Sequence, residues 1–119
     1  MLTSEQAETF AEEWIDSWNS HDLNLILSHY SDNFEMTSPV ICQVANEPSG
    51  TLKGKVNVGA YWKKALEKMP NLYFELVSVL VSINSLTLYY KGASGGMVAE
   101  VLFFGNDGKI IKGIAHYAV

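Results

Sequence analysis

Three observations on this chain predict an α+β fold, in which three helices from the N-terminal part pack on a mostly antiparallel sheet. Apolar residues recur at helical spacing between Ala7 and Tyr30 and again between Val58 and Met69. From Phe34 the pattern switches to period two, and beyond Pro70 the apolar runs are short and strand-like. Helices gathered at one end of the chain and strands at the other give an α+β rather than a parallel α/β arrangement.

Thr3 and Gln6 have the spacing of a capping box, so the first helix starts there. Ala7, Phe10, Ala11, Trp14 and Trp18 form its apolar stripe, opposite Glu8, Glu12, Glu13 and Asp16. Asp22 is suited to cap a second helix, whose apolar face is Leu23, Ile26, Leu27 and Tyr30. A strand follows, with Phe34, Met36 and Ser38 on one face and Glu35 and Thr37 on the other, until Pro39 stops it. Val40 to Ser49 reads as a loop and Gly50 to Gly54 as a short strand or turn. The third helix points Val58, Tyr61, Trp62, Ala65, Leu66 and Met69 inward and ends at Pro70. Strands over Leu72–Ile83, Leu86–Lys91, Met97–Phe104 and Lys109–Ala118 complete an antiparallel meander.

At 119 residues the chain is read as one domain, 1–119, and 48% hydrophobic against 18% charged residues fits a packed core. The net charge is −5 and all eight basic residues are lysines. Without arginine there is no two-pronged grip for phosphate, so nucleic acid is not an expected partner. Lys53, Lys55, Lys63, Lys64 and Lys68 are read as a solvated face rather than a binding patch. The lone Cys42 has no disulfide partner, and the first residues carry no secretory pattern, so a reducing cytoplasm is expected. No apolar run is long enough to cross a membrane. No metal or cofactor is expected, because no histidine or cysteine spacing fits a metal and no glycine-rich loop fits a phosphate.

Glu100 is the candidate for chemistry, as the only charge in Met97–Phe104. Either it points into an apolar cavity, where burial raises its pKa into the range of a general acid or base, or it lies on the outer face beside a lysine. Its alternating neighbours Val98, Leu102 and Phe104 favour the cavity. Trp14, Trp18, Tyr30, Trp62 and Tyr117 are candidate walls, with indole and phenol groups as polar handles. Of the histidines, His21 is expected in a solvated turn, His29 on the surface of helix two, and His116 pointing away from the cavity.

The segments Trp14–Phe34, Ser38-Pro39, Gly50–Gly54, Tyr61–Leu66 and Gly108–Tyr117 together resemble the nuclear transport factor 2-like superfamily. More narrowly, the chain resembles the SnoaL-like branch, which includes polyketide cyclases and is related to the ketosteroid isomerases. The resemblance implies the cone fold, with the helices on the concave face of a bent sheet, and a pocket for a small apolar molecule lined by Trp14, Trp18, Tyr30, Phe34, Met36, Ser38, Trp62, Leu102 and Tyr117. It also implies site roles. The isomerases' general-base aspartate falls on Ser38, which cannot replace it unaided. Their oxyanion tyrosine falls on Trp14, two supporting tyrosines on Tyr30 and Trp62, and their protonated acid on Glu100. The expected function is therefore lyase, isomerase or cyclase-type acid–base chemistry through Glu100. The alternative is a non-catalytic module of the same fold that binds a hydrophobic ligand or serves dimerisation or another protein interaction. Leu76 and Leu80 on one set, and Val77, Val79 and Val81 on the other, leave strands apolar on both faces, so a homodimer through the outer sheet face is expected.

Overall fold

The computed structural model of the protein describes residues 1–119 and consists of one six-stranded sheet with its helices packed against it. The elements are α1 (Ser4–Ser20), α2 (Leu23–Leu27), β1 (Tyr30–Thr37), α3 (Pro39–Val44), β2 (Thr51–Lys53), α4 (Lys55–Lys68), β3 (Glu75–Ser82), β4 (Ser85–Lys91), β5 (Met97–Phe104) and β6 (Ile110–Tyr117). The sheet runs β2-β1-β6-β5-β4-β3. Only the β1–β6 pair is parallel; the other four pairs are antiparallel.

The capping box forms as expected, with the Thr3 side chain accepting from the Gln6 amide and Gln6 returning a bond to the Thr3 amide. Ala7, Ala11, Trp14, Ile15 and Trp18 bury one face of α1, which packs on β3. Val58, Trp62 and Leu66 bury the equivalent face of α4, which packs on β1 and β2. Gly59 lets α2 approach α4 closely, since a Cβ there would stand 3.2 Å from Leu27 Cδ1.

Several local expectations need correction. Val40 to Ser49 is not all loop: Pro39–Val44 is a fourth helix, α3, capped by the Ser38 side chain accepting from the Val40 amide. Pro39 ends the strand and also starts this helix, because its fixed φ and missing N–H suit a first helical position. Tyr30 and His29 do not belong to α2, which stops at Leu27; Tyr30 is the first residue of β1. Leu72 precedes β3, which begins at Glu75.

The face assignment of β3 also changes. A register shift between Leu76 and Ser78 places an extra residue, Val77, in the strand. Leu76 and Leu80 therefore face opposite ways: Leu76 pairs with the inward Tyr90, and Leu80 with the outward Thr87. Leu76 and Val79 pack against the core, while Val77 and Leu80 are exposed at 59% and 57%.

Candidate functional site

On the inner face of β5, Val98, Glu100 and Leu102 are buried in sequence, as strand alternation requires. Leu88 of β4 and Ala115 of β6 flank Glu100 directly across the strands. The hairpin that joins β4 to β5 sets Tyr90 diagonally from Glu100 on the same face, and the Tyr90 hydroxyl donates to Glu100 Oε1 at 2.8 Å. Glu100 Oε2 has no protein partner and is not sealed by packing, so it opens on a cavity.

That cavity has a volume of about 330 Å³ and lies between α1, α4 and the sheet. Trp14 and Trp18 come from α1, and Tyr61 and Trp62 from α4. Phe74, from the segment before β3, stacks on Trp14 at 6.1 Å between ring centres, and Tyr90 lies 4.7 Å from Phe74. Met36, Ser38 and Tyr117 line the other side, and the Gly92–Gly96 turn with Met97 borders the cavity as well. No lysine or histidine lines it, so Glu100 is its one carboxylate and there is no cation to match it.

Burial raises the Glu100 carboxyl to about 7, and the Tyr90 hydrogen bond only partly opposes this. The phenols around it move the same way. Tyr61 is raised to about 12 by burial and by Tyr117 and Glu100 nearby, and Tyr30, Tyr90 and Tyr117 are all raised, burial being the main cause. At neutral pH the site therefore holds uncharged phenols and one carboxyl that exchanges its proton near neutrality.

Trp14, Trp18, Met36, Ser38, Trp62, Glu100 and Tyr117, all expected in the lining, are brought together there. Tyr30, Phe34 and Leu102 are not; their side chains stand behind the wall, fully buried at 1%, 0% and 0% exposure. Tyr30 instead accepts the Trp14 indole N–H at 3.0 Å. The Trp14 donor is thus occupied from behind and is not free for a ligand oxyanion. Ser38, buried and capping α3, is in loose contact with the Tyr117 hydroxyl at 3.5 Å. Neither of its hydrogen-bond partners, Tyr117 and the Val40 amide, is a base. Glu35 points away from the cavity and pairs with Lys53 at 3.3 Å, and His116 is exposed on the outer face, as expected.

The other histidines are more engaged than expected. His21 is half-buried, caps α1 in a left-handed conformation, and its Nε2 lies 2.8 Å from the Leu72 carbonyl. His29 Nε2 lies 2.9 Å from Ser17 Oγ and its ring stands against Phe10, outside the cavity. Burial lowers its pKa.

Helical spacing puts Tyr61 on an inward face, but Phe74 and Tyr90 are lining residues that sequence patterns did not single out. For Tyr90 the signal was present: pairing Lys91 with Met97 across the Gly92–Gly96 turn puts Tyr90 and Glu100 on one face. Phe74 lies outside regular structure, held by paired hydrogen bonds between its backbone and the Asn19 side chain, which no periodicity reveals.

One curved six-stranded sheet with helices packed against it is an NTF2-like arrangement, and the chain's relatives share that fold. Residues 11–112 match the SnoaL-like domain, and the chain belongs to that family. A SnoaL-like protein of unknown function from Burkholderia thailandensis E264 is 51% identical, with 98% of each chain covered and a TM-score of 0.96. A protein of unknown function with a cystatin-like fold from Methylobium petroleophilum PM1 is 17% identical over 99% of this chain and 79% of its own, with a TM-score of 0.76. An NTF2-like protein of unknown function from Cytophaga hutchinsonii is 16% identical over 99% of this chain and 95% of its own, with a TM-score of 0.69. At these last two identities the likeness is one of fold. Comparison with curated proteins returns no match.

Proposed function

We propose that the protein binds a small, largely apolar molecule in its cone and exchanges a proton with that molecule's polar group through Glu100, in chemistry of the lyase, isomerase or cyclase type. The observation that carries this is Glu100 Oε2, a carboxyl oxygen without a protein partner, open to an aromatic cavity and titrating near neutrality. Tyr90 positions the carboxyl, while Trp14, Trp18 and Trp62 supply the apolar walls. Tyr117, diagonal to Glu100 across the β5–β6 pair, and Ser38 beside it offer hydroxyl groups.

The second reading, a non-catalytic ligand-binding domain, is favoured by the neutral hydroxyl at Ser38 and by the occupied donor of Trp14. One experiment separates the two. The purified protein is examined for a retained molecule by mass spectrometry, then incubated in deuterated water. Deuterium entering the molecule at carbon with wild-type protein but not with Glu100→Gln supports catalysis, whereas retention without exchange at carbon supports binding alone. No retained molecule, together with no quenching of tryptophan fluorescence by apolar ring compounds, would overturn both.

We also infer that two copies associate through the outer sheet face. Leu80, Thr87, Val101 and Ile114 form one outward row across four strands, with Tyr89 and Phe103 beside it. A row so apolar is unusual on a free sheet face. Sedimentation at micromolar concentration tests this, and a strict monomer would contradict it. A cytoplasmic location fits the exposed unpaired thiol of Cys42; no helix is long and apolar enough to cross a membrane.

A further inference from the structure

Taking the cavity as the ligand site, we propose that its ligand is an organic ammonium ion, with the charged nitrogen against Glu100 and the rest of the molecule among the aromatic rings. Three observations carry this. The wall is built from seven aromatic side chains: Trp14, Trp18, Tyr61, Trp62, Phe74, Tyr90 and Tyr117. Aromatic π faces attract cations, most strongly where water is excluded. Second, the lining contains one carboxyl and no lysine or histidine, and the chain has no arginine, so a carboxylate or phosphate ligand would find no positive charge to pair with and would stand against Glu100. Third, one carboxyl oxygen is held by Tyr90 while the other opens on the cavity without a partner, as a cation acceptor should.

The groups facing Glu100 are Tyr30 from β1, Tyr61 from α4, Tyr90 from β4 and Tyr117 from β6, all phenols; α1 contributes Trp14, which does not titrate. None supplies a positive charge. A buried carboxylate would be stabilised by the ligand's charge, and the carboxyl proton would leave to solvent on binding. A neutral ligand that accepts a hydrogen bond would need the opposite, a carboxyl that keeps its proton. The two ligand classes therefore predict opposite responses to pH.

The probes are benzyltrimethylammonium, its uncharged isostere neopentylbenzene and the neutral ketone 4-phenyl-2-butanone, titrated against tryptophan fluorescence. All three tryptophans line the cavity, so the signal arises at the site. The cation should bind about tenfold or more tightly than either neutral probe at about pH 8 and lose about tenfold on going to about pH 5.5. Calorimetry in buffers of different ionisation enthalpy should record proton release. Glu100→Gln should abolish the preference for the cation while keeping the neutral probes, which also shows that the variant folds. Tighter binding of the ketone, or affinity that strengthens toward low pH, would overturn the ammonium assignment and leave the pocket intact. Failure of all three probes would overturn the assignment and the pocket together.

Discussion

Glu100 balances two opposing effects. Burial favours its neutral form, and the bond from Tyr90 favours its charged form, with burial the larger. Removing the bond should tip the balance further: in Tyr90→Phe the Glu100 carboxyl should titrate above its wild-type value of about 7. Carboxyl-carbon NMR of labelled protein checks the direction, and an unchanged or lowered value would contradict it. Ser38 makes the complementary case. It is buried beside the cavity, but its hydroxyl caps α3 and hydrogen-bonds no base. The wild-type protein should show no ketosteroid double-bond isomerisation, since a hydroxyl is a poor proton shuttle. Ser38→Asp should keep the cap, because Asp serves there about equally well, and should gain a small rate above background in a spectrophotometric assay. Robust wild-type turnover would contradict this.

At the scale of elements, the bulge at Val77 decides what β3 offers to each side of the sheet. Strict alternation would group Leu76 with Leu80, but the extra residue reverses the strand beyond it. Val79→Asp should destabilise the fold by about 2 kcal/mol, since a charge enters the edge of the core. Leu80→Asp should change the stability of the separated chain by less than about 0.5 kcal/mol and weaken self-association instead. Urea denaturation and sedimentation of the two variants check this; equal costs would mean that the bulge is absent in solution. The loop that proved to be α3 makes a similar point. Its start was legible in Ser38-Pro39, a cap followed by a proline at the first helical position, but six residues carry too little periodicity to declare a helix.

For the molecule as a whole, the buried carboxyl couples folding to pH. Glu100 titrates at about 7 in the fold against 4.5 for the unperturbed group, so the folded state binds the proton more tightly than the unfolded chain. Its contribution to stability is complete below about pH 4.5 and is lost as pH rises through about 7, a change of about 3 kcal/mol. Urea midpoints measured across that window should fall with rising pH for the wild type, and the fall should be smaller by this amount in Glu100→Gln. An identical profile in the variant would show that Glu100 is not buried as described.

The amino-acid sequence by itself determined the class of fold and its inward faces. Capping residues, helical stripes and strand alternation are local signals, readable within a few residues of where they act, so Trp14, Trp18, Met36, Ser38 and Trp62 fall on inward faces by pattern alone. For Glu100 the alternation favours the cavity without excluding the outer face. Only the tertiary structure decided which interior residues meet the cavity and which close it from behind. Tyr30, Phe34 and Leu102 carry the same inward signal as their neighbours yet are covered completely, because depth beneath a packed wall depends on contacts between residues far apart in the chain. The pairing of Trp14 with Tyr30 and the bond from Tyr90 to Glu100 likewise required the folded chain. Strand register, helix placement and one bulge set them, and a local pattern carries only part of that information.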